Sequence, residues 1–405
     1  MNRKFKVALL YYKDRNLGDI VIHDTAKYLI TDILNKKNID YEIESYDIGN
    51  KYLESIKITK RREKINNIRK KYIKLLEKFD SKIFNNKKKI LIQKWKLSKY
   101  HLFIKNRVIK KFNNVDLIIF AGGGLIKYHQ QDFHYIINEI TEFANKKKIP
   151  VVFNAVGVEG YDESRPECMI LKQAINRRCV KYFSTRDDIN LLNEKYIYKN
   201  IPTYLVADSA VWTKETYKIK KKKSNIIGIG VIRANIFEQY LYSVKEETLF
   251  KMFSQTIKKL KKLGYEVKLF TNGDISDQKF IEQLKEYMKL GKSFDKMVEP
   301  RPEKAKDLIN LISSYDVVLG TRLHSNIISY SLEIPTVSIV WNNKQLMFSK
   351  INGIEDYFIT KENFNADYVV DKILTAHKQK KINKKEYKQT VYNFLDTAIT
   401  NIIGK

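Results

Sequence analysis

Short apolar runs rich in β-branched and aromatic residues alternate with longer amphipathic stretches along most of this chain, and that rhythm restricts the fold more than any other feature. The runs lie at 5–12, 41–46, 116–120, 150–156, 182–185 and 203–206, and again at 225–231, 266–271, 297–299, 316–319 and 336–340. Consecutive strands joined by helices require right-handed crossovers and a parallel sheet. The polar, aperiodic stretch 214–224 interrupts the rhythm and reads as an interdomain linker. The expected fold is therefore α/β, with two doubly wound β/α domains at 1–212 and 225–375 facing each other across a cleft. A last amphipathic helix within 380–405 is expected to return to the first domain. In such sheets ligands sit beyond the carboxyl ends of the strands, so residues just after each run are the candidates for chemistry.

One segment departs from the pattern. Residues 51–111 carry 22 Lys or Arg against four acids, while Ile65, Ile68, Tyr72, Leu75, Leu76 and Phe79 recur at helical spacing. It reads as a basic helical insertion in the first domain. The whole chain of 405 residues has a net charge of +30, which calls for an anionic partner: nucleic acid, lipid headgroups or a phosphorylated substrate. The basic run lacks the glycine-aromatic, zinc-finger and zipper signatures, so no specific nucleic acid is expected. Docking on an anionic membrane surface and simple packing on the first domain remain two open readings of the insertion.

Cys168 and Cys179 fall on one expected helical stretch, too far apart along it to pair. No metal-ligand spacing exists, nor 18 consecutive apolar residues. The expected setting is cytoplasmic, either free or peripheral at the inner face of the membrane, with no metal and no cofactor.

Candidate site residues cluster after the strands. Asn16-Leu17-Gly18-Asp19 precedes a helix pattern, where free backbone N–H groups can hold an anion or where Gly18 merely turns the chain and Asp19 caps it. Gly122, Gly123 and Gly124 follow a buried strand and permit positive φ and close ligand approach, although they form neither GxGxxG nor a Walker loop. His129 and His134 stand five apart, a poor metal spacing, and read as solvent-facing or substrate-contacting. Arg186 ends a strand beside Asp187, the expected N-cap, and can grip a carboxylate or phosphate. Asp208 reads as a turn or cap residue. In the second half Arg233 ends the first strand, and Arg322 and His324 lie where the run 316–319 turns into a helix. Histidine suits proton transfer near neutral pH, and an arginine two residues away can hold an anion beside it. Lys344 follows the next strand as a further cation.

These residues, in this order and spacing over most of the chain, resemble the polysaccharide pyruvyl transferases: Asn16-Leu17-Gly18-Asp19, Gly122 to Leu125, Ser184-Thr185-Arg186-Asp187, Asp208, Arg322-Leu323-His324, and Pro335 through Lys344. The resemblance implies a GT-B-like two-domain fold, phosphoenolpyruvate as donor and a sugar of a cell-surface glycan, or its lipid-linked precursor, as acceptor. It also implies His324 as general acid and Arg186, Arg322, Lys344 and Arg233 as donor-site residues. Ser209 stands where that family usually has proline, and Asn343 where it often has aspartate. Phosphoenolpyruvate carries both a carboxylate and a phosphate, which accounts for several cations, with no acidic pair expected among them. The competing enzyme reading is a nucleotide-sugar glycosyltransferase of the same architecture.

Overall fold

Val7 and Leu9 of β1 (Phe5–Tyr11) enter one apolar cluster while Ala8 and Leu10 enter another, and all four are buried. A parallel sheet covered on both faces demands this double burial. In the computed structural model, which describes residues 3–13, 16–49, 109–112, 114–128, 133–222, 224–239, 244–378 and 385–404, β1 sits inside a seven-stranded parallel sheet. Its order is β2 (Tyr41–Asp47), β1, β3 (Leu117–Phe120), β5 (Val151–Glu159), β6 (Val180–Thr185) and β7 (Thr203–Leu205), with β4 (Gly123–Lys127) running on beside β5. Helix α1 (Gly18–Lys36) covers one face through Val21, Ile22, Ala26, Leu29, Ile30 and Ile33, spaced three or four apart. Helices α2 (Phe133–Lys147) and α3 (Pro166–Ile175) cover the other.

The second sheet has five parallel strands, ordered β9 (Glu266–Phe270), β8 (Ile226–Gly230), β10 (Val317–Gly320), β11 (Thr336–Ile339) and β12 (Phe358–Ile359). Around it lie α4 (Glu246–Lys262), α5 (Ile275–Met288), α6 (Ala305–Ser313), α7 (Leu323–Ser331), α8 (Asn343–Asn352) and α9 (Ala366–Lys378). Both sheets reverse their direction of growth, at β1/β3 in the first and at β8/β10 in the second. Ligands bind at such switch points.

The α1 face of the first sheet shares one continuous apolar cluster with the second sheet. Leu17 N–H donates to the Asn272 carbonyl at 2.9 Å, tying the two at the start of α1. The last helix, α10 (Lys385–Ile403), packs on α1, β5 and β6: Tyr392 donates to Asp32 at 2.9 Å, and Lys37 pairs with Asp396 at 2.8 Å.

Several local expectations change. The stretch read as a linker starts with a helical turn, Thr213–Tyr217, docked on the second sheet's side through Lys214 N–H to Ser331 Oγ at 3.0 Å. Residues 297–299 form only an isolated bridge, Leu269 to Val298, because Met297 and Glu299 bond to β9 over too short a span for a strand. Cys168 lies in α3 but Cys179 lies beyond its end, next to β6; both are free and buried. The basic insertion at 51–111 falls, apart from its last three residues, outside the described residues. So does His129. His134, expected to face solvent or substrate, is buried in the first turn of α2 against Tyr135. No described helix is long and apolar enough to cross a membrane.

Candidate active site

Helix α7 begins directly after β10, with Arg322 at its N-cap and His324 in its first turn, where the switch point of the second sheet opens. His324 is 6% exposed. Gly18, first residue of α1, lies against it so closely that a Cβ there would come within 2.5 Å of ring atoms Cγ and Nδ1. Two helix starts, one from each sheet, thus meet at this imidazole. Its Nε2 stands 3.4 Å from Arg186 Nη1 and 3.7 Å from Asp208 Oδ2.

Arg186 and Asp208 form a buried ion pair behind the ring. Burial alone would push the Asp208 carboxyl up, but the Arg186 guanidinium and the His324 ring overcome it and hold the group well below the usual carboxylate range. Burial likewise opposes the charge on Arg186, and Asp208 and Asp187 outweigh it. Asp19, in the first turn of α1, adds to that field and is not the cap; the N-cap is Leu17. Asp208 does cap a helical turn, accepting from Ala210 N–H at 2.8 Å, and serves the ion pair with its other oxygen.

A second cation group forms next to this one. Arg322 Nε binds Asp277, its Nη2 reaches Asp274 at 3.3 Å, and Arg233 Nη1 holds Asp274 at 2.9 Å. Burial raises the Asp274 carboxyl, yet the Ser276 N–H and the two arginines bring its net shift downward. Neither acid was among the expected residues. Asp274 was legible as an N-cap before α5, and it does accept from Ser276 N–H at 2.9 Å, but only the tertiary contact makes it an arginine anchor. The expectation of cations without acids in this region therefore does not describe the chain.

Lys344, in the first turn of α8, pairs with Glu159 at the end of β5. Below it lies Gly124, where a Cβ would come 2.7 Å from Lys344 Nζ. The glycine triplet is no free loop. Gly122 and Gly123 adopt φ of +81° and +84° and kink β3 into β4, while the register against β5 shifts. Ala155 of β5 takes φ +50°, a strained value for a residue with a Cβ, where the register of β5 against β6 also shifts. The sequence reading missed β4 because three glycines look like a turn; here they let the backbone pass under Lys344.

Asp187 also changes role. Asp188 is the N-cap, accepting from Leu191 N–H at 2.8 Å. Asp187 is buried instead, its Oδ1 accepting from Val158 N–H at 2.8 Å, Thr185 Oγ1 at 2.9 Å and Asp188 N–H at 2.9 Å. Burial pushes its carboxyl up, an effect that Lys344 and Arg186 only partly counter. Between the two halves, a cavity of about 220 Å³ opens among Glu159, Asp187, Asn342, Lys344 and Met347.

Beneath α7 the polar groups are tied together. Ser325 Oγ donates to Asn272 Oδ1 at 2.8 Å, Asn326 Nδ2 to Ser338 Oγ at 2.7 Å, and Gln345 Nε2 to the Thr321 carbonyl at 3.1 Å. Such a buried network fixes the start of α7, and with it His324.

Residues 16–343 match the sequence pattern of the polysaccharide pyruvyl transferase family. Comparison with curated proteins gives no match. Among solved structures, the UDP-GlcNAc 2-epimerase of Methanocaldococcus jannaschii is similar over 98% of this chain and 100% of its own, at 13% identity and a TM-score of 0.61. The UDP-GlcNAc 2-epimerase of Neisseria meningitidis, bound to UDP-GlcNAc, is similar over 99% of this chain and 100% of its own, at 10% identity and a TM-score of 0.55. These likenesses show the two-domain GT-B fold. The match over residues 16–343 covers most of the sequence, and the chain belongs to the polysaccharide pyruvyl transferase family.

Proposed function

We propose that the protein transfers the pyruvyl group of phosphoenolpyruvate to a sugar of a cell-surface glycan or its precursor, forming a pyruvate ketal, with His324 as general acid. The observation that carries this reading is the convergence of His324, Arg186 and Gly18 at the meeting of both helix starts. The donor has two anionic groups, and the arginines keep N–H donors for them. Arg322 uses Nε and Nη2 on its acids, and Arg233 its Nη1, so each guanidinium is oriented with other donors unspent. The carboxylates thus hold the arginines in place and do not remove them from donor binding. Lys344 and the positive end of the α1 dipole at Gly18 supply further positive potential. Gly122, Gly123 and Gly124 allow the backbone to come near a ligand.

In this mechanism His324 protonates the methylene carbon of the enol, and positive character develops at the adjacent carbon. A sugar hydroxyl oxygen bonds to that carbon and loses its proton. The C–O bond to phosphate then breaks, a second hydroxyl closes the ring, and phosphate departs. One hydroxyl proton replaces the one given to the methyl group and the other leaves with phosphate, so the balance needs no redox partner. Fixed cations aimed at a departing phosphate stabilise it without reorganisation, the form of catalysis that contributes most in such sites.

Calorimetric titration tests the donor. Phosphoenolpyruvate should bind, and UDP- and GDP-sugars should not; the reverse would favour a nucleotide-sugar glycosyltransferase, a reading that the fold also accommodates. Incubation with phosphoenolpyruvate and lipid- or nucleotide-linked glycans, followed by mass spectrometry for an added pyruvyl group, tests product and acceptor together.

A further inference from the structure

The four residues between β9 and α5, Thr271-Asn272-Gly273-Asp274, supply neither the acid nor any cation of the proposed reaction, yet both parts of the site are tied to them. They follow the edge strand of the second sheet in a turn that is itself pinned. Gly273 takes φ +95°, a conformation that favours glycine; its N–H donates to Thr271 Oγ1 at 3.3 Å and its carbonyl accepts from Arg301 Nη1 at 2.9 Å. The Leu17 side chain occupies the room that glycine leaves, since a Cβ at Gly273 would come within 2.9 Å of its Cγ and Cδ1. The start of α1 is thus seated directly on this turn.

Asn272 holds both sides of the contact between Gly18 and His324. Its carbonyl accepts from the N–H of Leu17, the residue before Gly18, at 2.9 Å. Its side-chain Oδ1 accepts from the Oγ of Ser325, the residue after His324, at 2.8 Å. Asn272 is 1% exposed, so breaking either bond would strand a polar group away from water. Two residues on, Asp274 serves the cations. Its Oδ1 caps α5 by accepting from Ser276 N–H at 2.9 Å, while its Oδ2 takes Arg233 Nη1 at 2.9 Å and Arg322 Nη2 at 3.3 Å. Asp277, in the first turn of α5, separately holds Arg322 Nε. Loss of the Asp274 carboxylate would therefore free Arg233 and loosen Arg322 without releasing the start of α7.

We infer that the turn between β9 and α5 is the positioning element of the site, in which Asn272 seats the acid His324 against Gly18 and Asp274 orients the donor arginines Arg233 and Arg322. The inference rests on the pyruvyl-transfer reading and adds to it two positioning residues, each acting through the groups it holds. Because the two tasks fall on different residues, they separate in the kinetics. A misplaced acid slows the chemical step, whereas loosened cations weaken binding of the donor.

The test uses the full chain and three variants. Asn272→Leu keeps the bulk of the side chain and removes the acceptor of Ser325. Ser325→Ala breaks the same bond from its other end and is the milder change should the first variant fail to fold. Asp274→Ser keeps a capping oxygen for α5 and removes the carboxylate. Calorimetry with phosphoenolpyruvate gives donor affinity, phosphate release gives kcat, and the NMR signals of the His324 ring, assigned by their loss in His324→Ala, report how the acid is seated. Asn272→Leu and Ser325→Ala should each shift those signals and lower kcat about tenfold or more, with donor affinity within about threefold of wild type. Their effects on kcat should not add in the double variant, since both remove one bond. Asp274→Ser should weaken donor affinity about tenfold or more and leave the His324 signals near their wild-type positions. Additive losses, a fall in affinity equal to the fall in kcat in all three variants, or His324 signals unmoved by both Asn272→Leu and Ser325→Ala would overturn the inference. If the wild type binds no phosphoenolpyruvate, the donor reading falls and the His324 signals decide alone: a shift in Asn272→Leu without one in Asp274→Ser upholds the turn's role, and a shift in neither or in both alike overturns it.

Discussion

Gly18→Ala probes the contact on which the proposed acid depends. The added methyl would lie 2.5 Å from His324 Cγ and Nδ1, about 1 Å inside ordinary carbon contact of ~3.5–4.0 Å. The ring has little room to retreat, because its far side faces Arg186 Nη1 at 3.4 Å and Asp208 Oδ2 at 3.7 Å. Overpacking of this kind costs about 1–3 kcal/mol. Alanine's advantage over glycine in a helix returns ~0.5–1 kcal/mol, so the net loss of stability should be about 2 kcal/mol or less. Misplacing a reacting group by ~1 Å can cost ~10²-fold in rate. Turnover, followed as phosphate release from phosphoenolpyruvate, should therefore collapse while the melting temperature drops by only a few degrees. Gly124→Ala controls for stability alone: its methyl would meet only the tip of Lys344, which can swing aside, so the melting temperature should hardly change. Wild-type turnover in Gly18→Ala would show that the position of His324 does not govern the reaction.

Arg186→Ala strips a buried carboxylate of its main cation and should cost about 3–5 kcal/mol in chemical denaturation, with part recovered when Asp208→Asn is added. A cost under ~1 kcal/mol would mean the pair is better hydrated than its burial implies. Because the folded value of Asp208 lies below its unfolded value of ~3.9, its contribution is fully present above the unfolded value and is lost progressively as pH falls from there through the folded value. The melting temperature should drop steeply below about pH 5, and Asp208→Asn should flatten that limb. Gly320→Ala would drive a methyl into Asn326 Oδ1, which already accepts from Thr336 Oγ1 at 3.0 Å and so cannot give way. A melting temperature lowered by several degrees is expected, and an unchanged one would refute the claim that this network is rigid.

Much of the order of strands and helices was legible in the sequence because the central strands are buried on both faces, so their residues read as continuous apolar runs, while β4 and the two-residue β12 were not. The same logic located Gly18, Arg186, Arg233, Arg322, His324 and Lys344 at strand ends. The partners of these residues were not legible. Asp274 and Asp277 lie some 45 positions from Arg233 and Arg322 in sequence, and Asp208 meets His324 across more than a hundred residues. No local periodicity marks such pairs, because they exist only where two switch points and two helix starts are folded against one another. Asp187 shows the limit most plainly: its sequence position suits a helix cap, but its neighbour Asp188 takes that task, and Asp187 is buried instead, its Oδ1 accepting from Val158 N–H, Thr185 Oγ1 and Asp188 N–H. Local preference determines which segments become strands and helices, whereas desolvation and charge at long sequence separation decide what a side chain does, and those depend on the packed tertiary structure.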